Sequence, residues 1–328
     1  MRLSVSWDGQ SIVAAEVANR RPLAARVLIG QPAERAVDLV PRLFSLCGGA
    51  QGVAARLALG AASGKAPNPD GLLVDGRSVA LEAIGEHLWR LLLDWPPMLG
   101  RPASKDEFLV WRKRLLAVTD QPEAAALGEA LGQWLSAEAP LSVEQTAAEP
   151  GALLPMFDAV TWARQRIDEA YATAPTYASQ PAETGALARR ADDAEVARLH
   201  AAGQGVAARL AARYADLRFL AAALLEPPRL AGWLDAAPVA EGVGLARVET
   251  ARGLLLHLTQ VKDGRVGGYV IVAPTEWNFH PHGAFVREIT GCPAASRTAA
   301  EQVARRLALA LDPCVAYEIV VNEIGKNA

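Results

Sequence analysis

The sequence predicts an α+β protein that is mostly α, and three observations carry that reading. Alternating apolar and polar runs joined by Asp-Gly turns lie near both chain ends, in "RLSVSWDGQSIVAAEVA" and "GLLLHLTQVKDGRVGGYVIV". Between them, apolar residues recur at helical spacing through one segment after another. The strand-rich end then passes into a last helix-like run, 294–311, followed by Asp312-Pro313-Cys314. The simplest packing sets a helical bundle beside a small sheet formed by strands from both chain ends, all within one domain covering 1–328.

Each element follows from local pattern. Residues 2–7 and 11–18 flank "DG" and read as a hairpin, with "AARVLIG" (24–30) as a third strand. Helical spacing runs from Pro32 to Leu59, interrupted by "CGG" at 47–49, and 61–72 is a Gly/Pro/Asn-rich loop. The segments 79–96, 105–118, 122–139 and 157–172 each carry an apolar stripe, with Trp89, Trp111, Trp134 and Trp162 as core anchors. Residues 172–189 read as a flexible connection, and an Ala-rich helix or helix pair extends to Leu225. Strands return from 243, "KDG" turns the second hairpin, and "TEWNFHPHG" (275–283) reads as a loop.

Composition narrows the function. The 328 residues are 51% apolar with a formal net charge of −3, and the basic residues come in short groups such as 112–114. That is no broad basic face for nucleic acid. The longest apolar run holds Arg90 and Asp94 and ends in two prolines, so no membrane span is expected. The start lacks the pattern of a secretory signal, and a cytoplasmic location is expected. Cys47, Cys292 and Cys314 are the three cysteines, too few and too odd for a disulfide framework. His280 and His282 point to one side of an extended backbone, with no third ligand nearby. His257 reads as a hydrogen-bonded core histidine.

Two thiol-bearing segments belong together. Arg42-Leu43-Phe44-Ser45-Leu46-Cys47 stands near one end and Asp312-Pro313-Cys314 near the other, with Tyr317 and Val320 at the next two one-turn steps. Between them lie "ARGLLLHL" and "VAPTEWNFHP". This set resembles the large subunit of nickel–iron hydrogenases, whose signatures read R-x-C-G-x-C-x-x-x-H and D-P-C-x-x-C-x-x-H, with P-R-G-x-L-x-H and V-P-T-T-W-N between. The likeness covers roughly the first 60 and the last 80 residues, and the helical middle looks shortened. Arg42, Cys47 and Cys314 are kept. Phe44 and Tyr317 stand where that family has two further cysteines, Gln51 and Val320 where it has histidines, and Ala251 where it has proline.

The resemblance implies a hydrogenase large-subunit-like fold that has lost half of a nickel tetrathiolate. No nickel and no hydrogen turnover are then expected, so the protein is not an enzyme. Cys47 falls at a position bridging nickel and iron, and Cys314 at a nickel-terminal one. Both remain as ligands for an Fe(CN)2(CO) fragment, whose iron favours soft donors. Arg252, Pro274 and Thr275 fall where the family lines the pocket for the diatomic ligands, and Asp312 is expected to pair with Arg252. With "PTEWNFHP", the chain looks like the HupK/HoxV-type hydrogenase maturation proteins, regarded as scaffolds for that fragment. Expected partners are the maturation proteins that build and deliver it and the hydrogenase large-subunit precursor, with no nucleic acid and no membrane. A metal-free regulatory or partner-binding shell is the alternative.

Overall fold

Residues 1–19, 24–44, 46–143 and 145–324 are described in the structure, a computed structural model. The chain opens with antiparallel strands β1 (Arg2–Trp7) and β2 (Ile12–Ala18). Asp8 fixes the turn, its carboxylate accepting from the backbone N–H of Gln10 and Ser11 at 2.9 and 2.8 Å. "AARVLIG" is not a strand: Ala24–Leu28 is a 3-10 turn that buries Ala25 and Leu28. The third place in this sheet belongs instead to the last strand of the chain.

Helices α1 (Ala33–Leu43) and α2 (Gly48–Ala62) follow; the chain does break in this region, but before the Cys-Gly-Gly signal, whose two glycines open α2 with Cys47 just ahead of them. The loop expected over 61–72 is shorter. Asn68 caps α3 (Pro69–Trp89) by accepting from Asp70 N, and Pro69 takes the first helical position, where its missing N–H costs nothing. A π turn at Arg90–Asp94 leads into α4 (Trp95–Met98), then α5 (Lys105–Ala117) and α6 (Gln121–Ala137). Trp111 and Trp162 are buried, whereas Trp89 is 36% exposed and lies edge-on to Phe108, so it is a rim residue and not a core anchor.

The single helix read over 157–172 is two short ones, α7 (Ala159–Trp162) and α8 (Glu169–Thr173), after the two-residue strand β3 (Ala152–Leu153). Asp158 and Asp168 each accept a backbone N–H at a helix start, and the second cap interrupts the apolar period. Within 172–189, β4 (Ala182–Glu183) pairs with β3, and α9 (Ala186–Arg189) follows, with residues 182–187 buried. The Ala-rich stretch is a pair, α10 (Ala194–Ala201) and α11 (Gly205–Leu225).

Strands β5 (Leu234–Ala240), β6 (Val243–Thr250), β7 (Gly253–Lys262) and β8 (Arg265–Val272) form their own antiparallel sheet in that order. The strand-rich segments of the two ends thus build two sheets, not one. The β7–β8 turn holds Asp263 and Gly264 at φ 51° and 70°, the left-handed pair that a two-residue hairpin needs. "TEWN" is not loop but helix α12 (Pro274–Asn278), followed by α13 (Ala284–Ile289), α14 (Arg297–Leu311) and β9 (Glu318–Glu323). Strand β9 runs parallel to β1, pairing Arg2 with Glu318 and Ser4 with Val320, so this small sheet does unite both chain ends.

Two close approaches join the layers. A Cβ at Gly128 would meet Ala221 O at 2.5 Å, which lets α6 lie against α11. A Cβ at Gly244 would meet Ala58 O and Ala62 N at 2.3 Å, which lets α2 lie on β6. One large core then spans α3, α6, α11 and α14, with Trp95 and Trp233 almost wholly buried; each large apolar side chain so buried contributes roughly 1.5–3 kcal/mol before entropy is counted.

A buried polar cluster ties α3, α9 and α11 together. Asp216 accepts from Arg189 Nη2 (2.7 Å), Arg190 Nε (2.8 Å) and His87 Nε2 (3.0 Å), while His87 Nδ1 accepts from Arg213 Nη1 (3.2 Å). Burial alone would raise the Asp216 carboxyl, but Arg189 and His87 hold it well below the usual range. Burial lowers His87, so it stays neutral and donates from Nε2. Both groups therefore bind protons less readily folded than unfolded, and their stabilisation is full above the unfolded values and lost as pH falls. Urea resistance should decline in two stages, below about pH 6.5 and again below about pH 4. His87→Gln, which keeps an amide donor for Asp216, should shrink the first stage; urea midpoints across the acid range test this.

Candidate functional site

Helix α14 ends where Asp312 turns left-handed, at φ 55°. Aspartate tolerates that conformation better than bulkier residues because its short side chain can bond locally. Here the carboxylate meets three guanidinium groups. Arg90 Nε and Arg252 Nε donate to Oδ1 at 2.8 and 3.1 Å, and Arg213 Nη2 donates to Oδ2 at 3.0 Å. Burial opposes ionisation of Asp312, yet Arg252, Arg213 and Arg90 hold its carboxyl far below the usual range. Arg252 is itself shared, with Nη2 on Glu86 at 2.7 Å, and Arg90 also bonds Asp94.

The turn that follows presents Cys314. Its backbone N–H donates to Thr275 Oγ1 at 3.2 Å, and its Sγ lies 2.9 Å from the same hydroxyl. Residues 313–317 are irregular and Glu318 opens β9, so Tyr317 and Val320 are not on helical steps from Cys314. Tyr317 packs on the main core, and Val320 sits in the β1–β9 sheet.

Cys47 reaches the same place from the other end of the chain, just before α2. A thiol at a helix start ordinarily ionises more easily. This one does not, because burial, Cys314 beside it and the nearby Glu82 push it up to about 12, against a smaller opposing effect of Gln51 and Arg252. Glu82 of α3 already occupies the helix start, accepting from Gly49 N and Ala50 N at 2.8 and 3.2 Å. The side-chain amide of Gln51 stands 3.6 Å from Cys47 Sγ. All three cysteines are free thiols.

Cys47 and Cys314 share the wall of a cavity of about 550 Å³, with Phe44, Leu46, Tyr269 and Glu276 among its other lining residues. Phe44 fills part of that wall where the resembled family has a cysteine. Arg252, Pro274, Thr275 and Asp312 are buried beside and behind the two thiols, not on the cavity wall. Thr275 touches Cys314, and Arg252 touches Asp312. Arg42 is exposed on α1. Cys292 lies elsewhere, donating its thiol to Glu288 O at 3.2 Å. His280 is buried with Nδ1 accepting from His282 N at 3.0 Å, which braces the turn after α12. Among the described residues, no three His, Cys, Asp or Glu side chains converge as a ready metal-ligand set.

Sequence reasoning missed Arg90, Arg213 and Glu86, which complete the clamp on Asp312 and Arg252. The available signal was a lone arginine within an apolar helical run, "LWRLLLDW" and "LAARYADL", where a buried charge demands a partner.

The model of the nickel-dependent hydrogenase family matches residues 229–319, which hold the β5–β8 sheet, α12 and the Asp312-Pro313-Cys314 turn. The reduced, active Ni-Fe-Se hydrogenase from Desulfomicrobium baculatum superposes with a TM-score of 0.67 at 14% identity, over 94% of this chain and 95% of that one. The chain thus has a fold like that of a nickel-dependent hydrogenase. The hydrogenase expression/formation protein HupK of Rhizobium leguminosarum bv. viciae is 35% identical over 93% of this chain and 92% of its own. HoxV of Cupriavidus necator, of the same description, is 32% identical over 94% and 93%. The chain belongs to the HupK/HoxV family of hydrogenase expression/formation proteins.

Removing the charge of Asp312 leaves the buried guanidinium groups of Arg213 and Arg252, and the half-buried one of Arg90, competing for fewer acceptors. Asp312→Asn should destabilise the fold by about 3 kcal/mol, in the range for breaking a buried ion pair from one side. Urea titration reads this directly; a loss below about 1 kcal/mol, the scale of a surface pair, would contradict the clamp.

Proposed function

We propose that the protein is a non-catalytic carrier in hydrogenase maturation that holds an Fe(CN)2(CO) fragment through Cys47 and Cys314 and passes it to a hydrogenase large-subunit precursor. The observation that carries this reading is the meeting of two thiols from opposite ends of the chain on one cavity wall. Hydrogenase expression/formation is the role named for the relatives, and thiolate is the donor type that such an iron fragment favours. Iron with two cyanides and one carbonyl has three positions open. The chain offers two thiols, and a ligand from a maturation partner completes the set.

The thiol chemistry suits transient holding. With Cys47 pushed up to about 12, the unloaded thiol stays protonated near neutral pH, and thiolate is the reactive form. Coordination removes that proton, so loading releases protons and weakens as pH falls. Phe44 on the wall and Tyr317 outside it argue against a nickel tetrathiolate, and hence against hydrogen turnover. Among the described residues no helix is long and apolar enough to cross a membrane. Work in the cytoplasm, beside the proteins that build the fragment, fits this reading.

Infrared absorption with iron and nickel analysis, on protein purified anaerobically from cells with active maturation, tests the proposal. Cyanide and carbonyl bands with iron and without nickel are expected, diminished or lost in Cys47→Ala and in Cys314→Ala. If wild type shows neither bands nor iron while both variants still support hydrogenase maturation, the carrier reading fails and a metal-free partner-binding shell takes its place.

A further inference from the structure

We propose that Gln51, His257 and Tyr269 form a directed hydrogen-bond chain that fixes an N–H donor on the sulfur of Cys47, making Gln51 the positioning residue for that thiol. The chain crosses three elements. Gln51 of α2 places Nε2 3.6 Å from Cys47 Sγ. Its Oε1 is 2.9 Å from His257 Nε2 on β7, and His257 Nδ1 is 2.8 Å from the Tyr269 hydroxyl on β8. Gln51, His257 and Tyr269 are 1%, 0% and 4% exposed, so water does not compete for these groups.

The direction follows from donor inventory. Burial lowers His257 to about 3, so at neutral pH its ring has one donor and one acceptor nitrogen. Two patterns are then self-consistent. In one, the tyrosine O–H donates to Nδ1, Nε2–H donates to the Gln51 carbonyl, and the Gln51 amide N–H points at sulfur. In the other, every bond reverses and the Gln51 carbonyl faces the sulfur. A phenol gives its proton more readily than it accepts one, because its lone pairs are delocalised into the ring. That favours the first pattern. A sulfur that has lost its proton to a metal can only accept, and the first pattern alone serves it.

The two thiols of the cavity therefore differ. Cys314 faces a hydroxyl, which rotates and can give or take a hydrogen bond. Cys47 faces an amide whose orientation is set two residues away. One lone-pair direction of its sulfur is engaged, and the remainder is left for whatever enters the cavity. This assignment concerns the same cavity as the proposed function but does not depend on which cargo fills it.

Nitrogen-15 NMR of the imidazole in the unloaded full-length protein gives the first test. His257 is expected to carry its proton on Nε2, and a proton on Nδ1 would overturn the proposal. Iodoacetamide labelling under anaerobic conditions, read by mass spectrometry, gives the second. Gln51→Met removes the donor at equal chain length and should slow alkylation of Cys47 about threefold, since lower thiolate content outweighs higher intrinsic nucleophilicity, with Cys314 unchanged. Tyr269→Phe keeps the packing, should shift the His257 tautomer, and should slow Cys47 in the same direction. Where Gln51→Met does not fold, Tyr269→Phe and the wild-type tautomer decide. Unchanged Cys47 labelling in a folded variant contradicts the relay.

Discussion

A carboxylate at the end of α14 faces three guanidinium groups, and the placement of both chain ends follows from it. Asp312 has no water to ionise into, so its charge is tolerated only because Arg90, Arg252 and Arg213 converge on it from α3's continuation, the β6–β7 turn and α11. Those contacts stop the helix in a left-handed residue, and Pro313 prevents it from resuming. The chain must then leave as an irregular turn and a strand. Cys314 is delivered to Thr275, and β9 reaches the free edge of β1.

The second thiol is held by a different logic. Cys47 begins a helix whose first amides already serve Glu82, so the usual acidifying influence of a helix start is spent on another group. Burial and the neighbouring sulfur do the rest. The outcome is a Cys47 thiol that stays protonated, and therefore unreactive, beside Cys314 until something in the cavity replaces its proton. Around them the fold retains a polar shell of arginine, threonine and aspartate, while Phe44 takes up the room of a further ligand. On the proposed carrier role, two thiols in a retained polar shell are the arrangement expected of a site that holds a cargo and releases it.

Much of the frame was legible because it rests on local signals. The Asp8 turn and the 263–264 hairpin are each decided within a few residues. Errors came where distant partners decide. Residues 24–30 are apolar enough for a strand, but they form a 3-10 turn that buries Ala25 and Leu28, and the third place in the sheet goes to β9, from the far end of the chain. One error was local: Asp168 caps a new helix by accepting from Tyr171 N, splitting one apolar period into two helices. At the site, the resemblance pointed to the two thiol segments and to Arg252, Thr275 and Asp312. It gave no sign of Arg90 and Arg213, whose partner is more than two hundred residues away for the first, as Arg90 and Asp312 are 222 apart. It also marked Gln51 as a lost histidine, when its amide in fact links Cys47 to His257.

In the proposed function, Cys47 and Cys314 together bind one iron. X-ray absorption at the iron edge, on protein loaded anaerobically in cells with active maturation, measures this most directly. Two sulfur neighbours per iron in the wild type, falling to one in each single cysteine-to-alanine variant that still holds iron, are what the account predicts. Iron with no sulfur neighbours, or with sulfur neighbours indifferent to both substitutions, would contradict it.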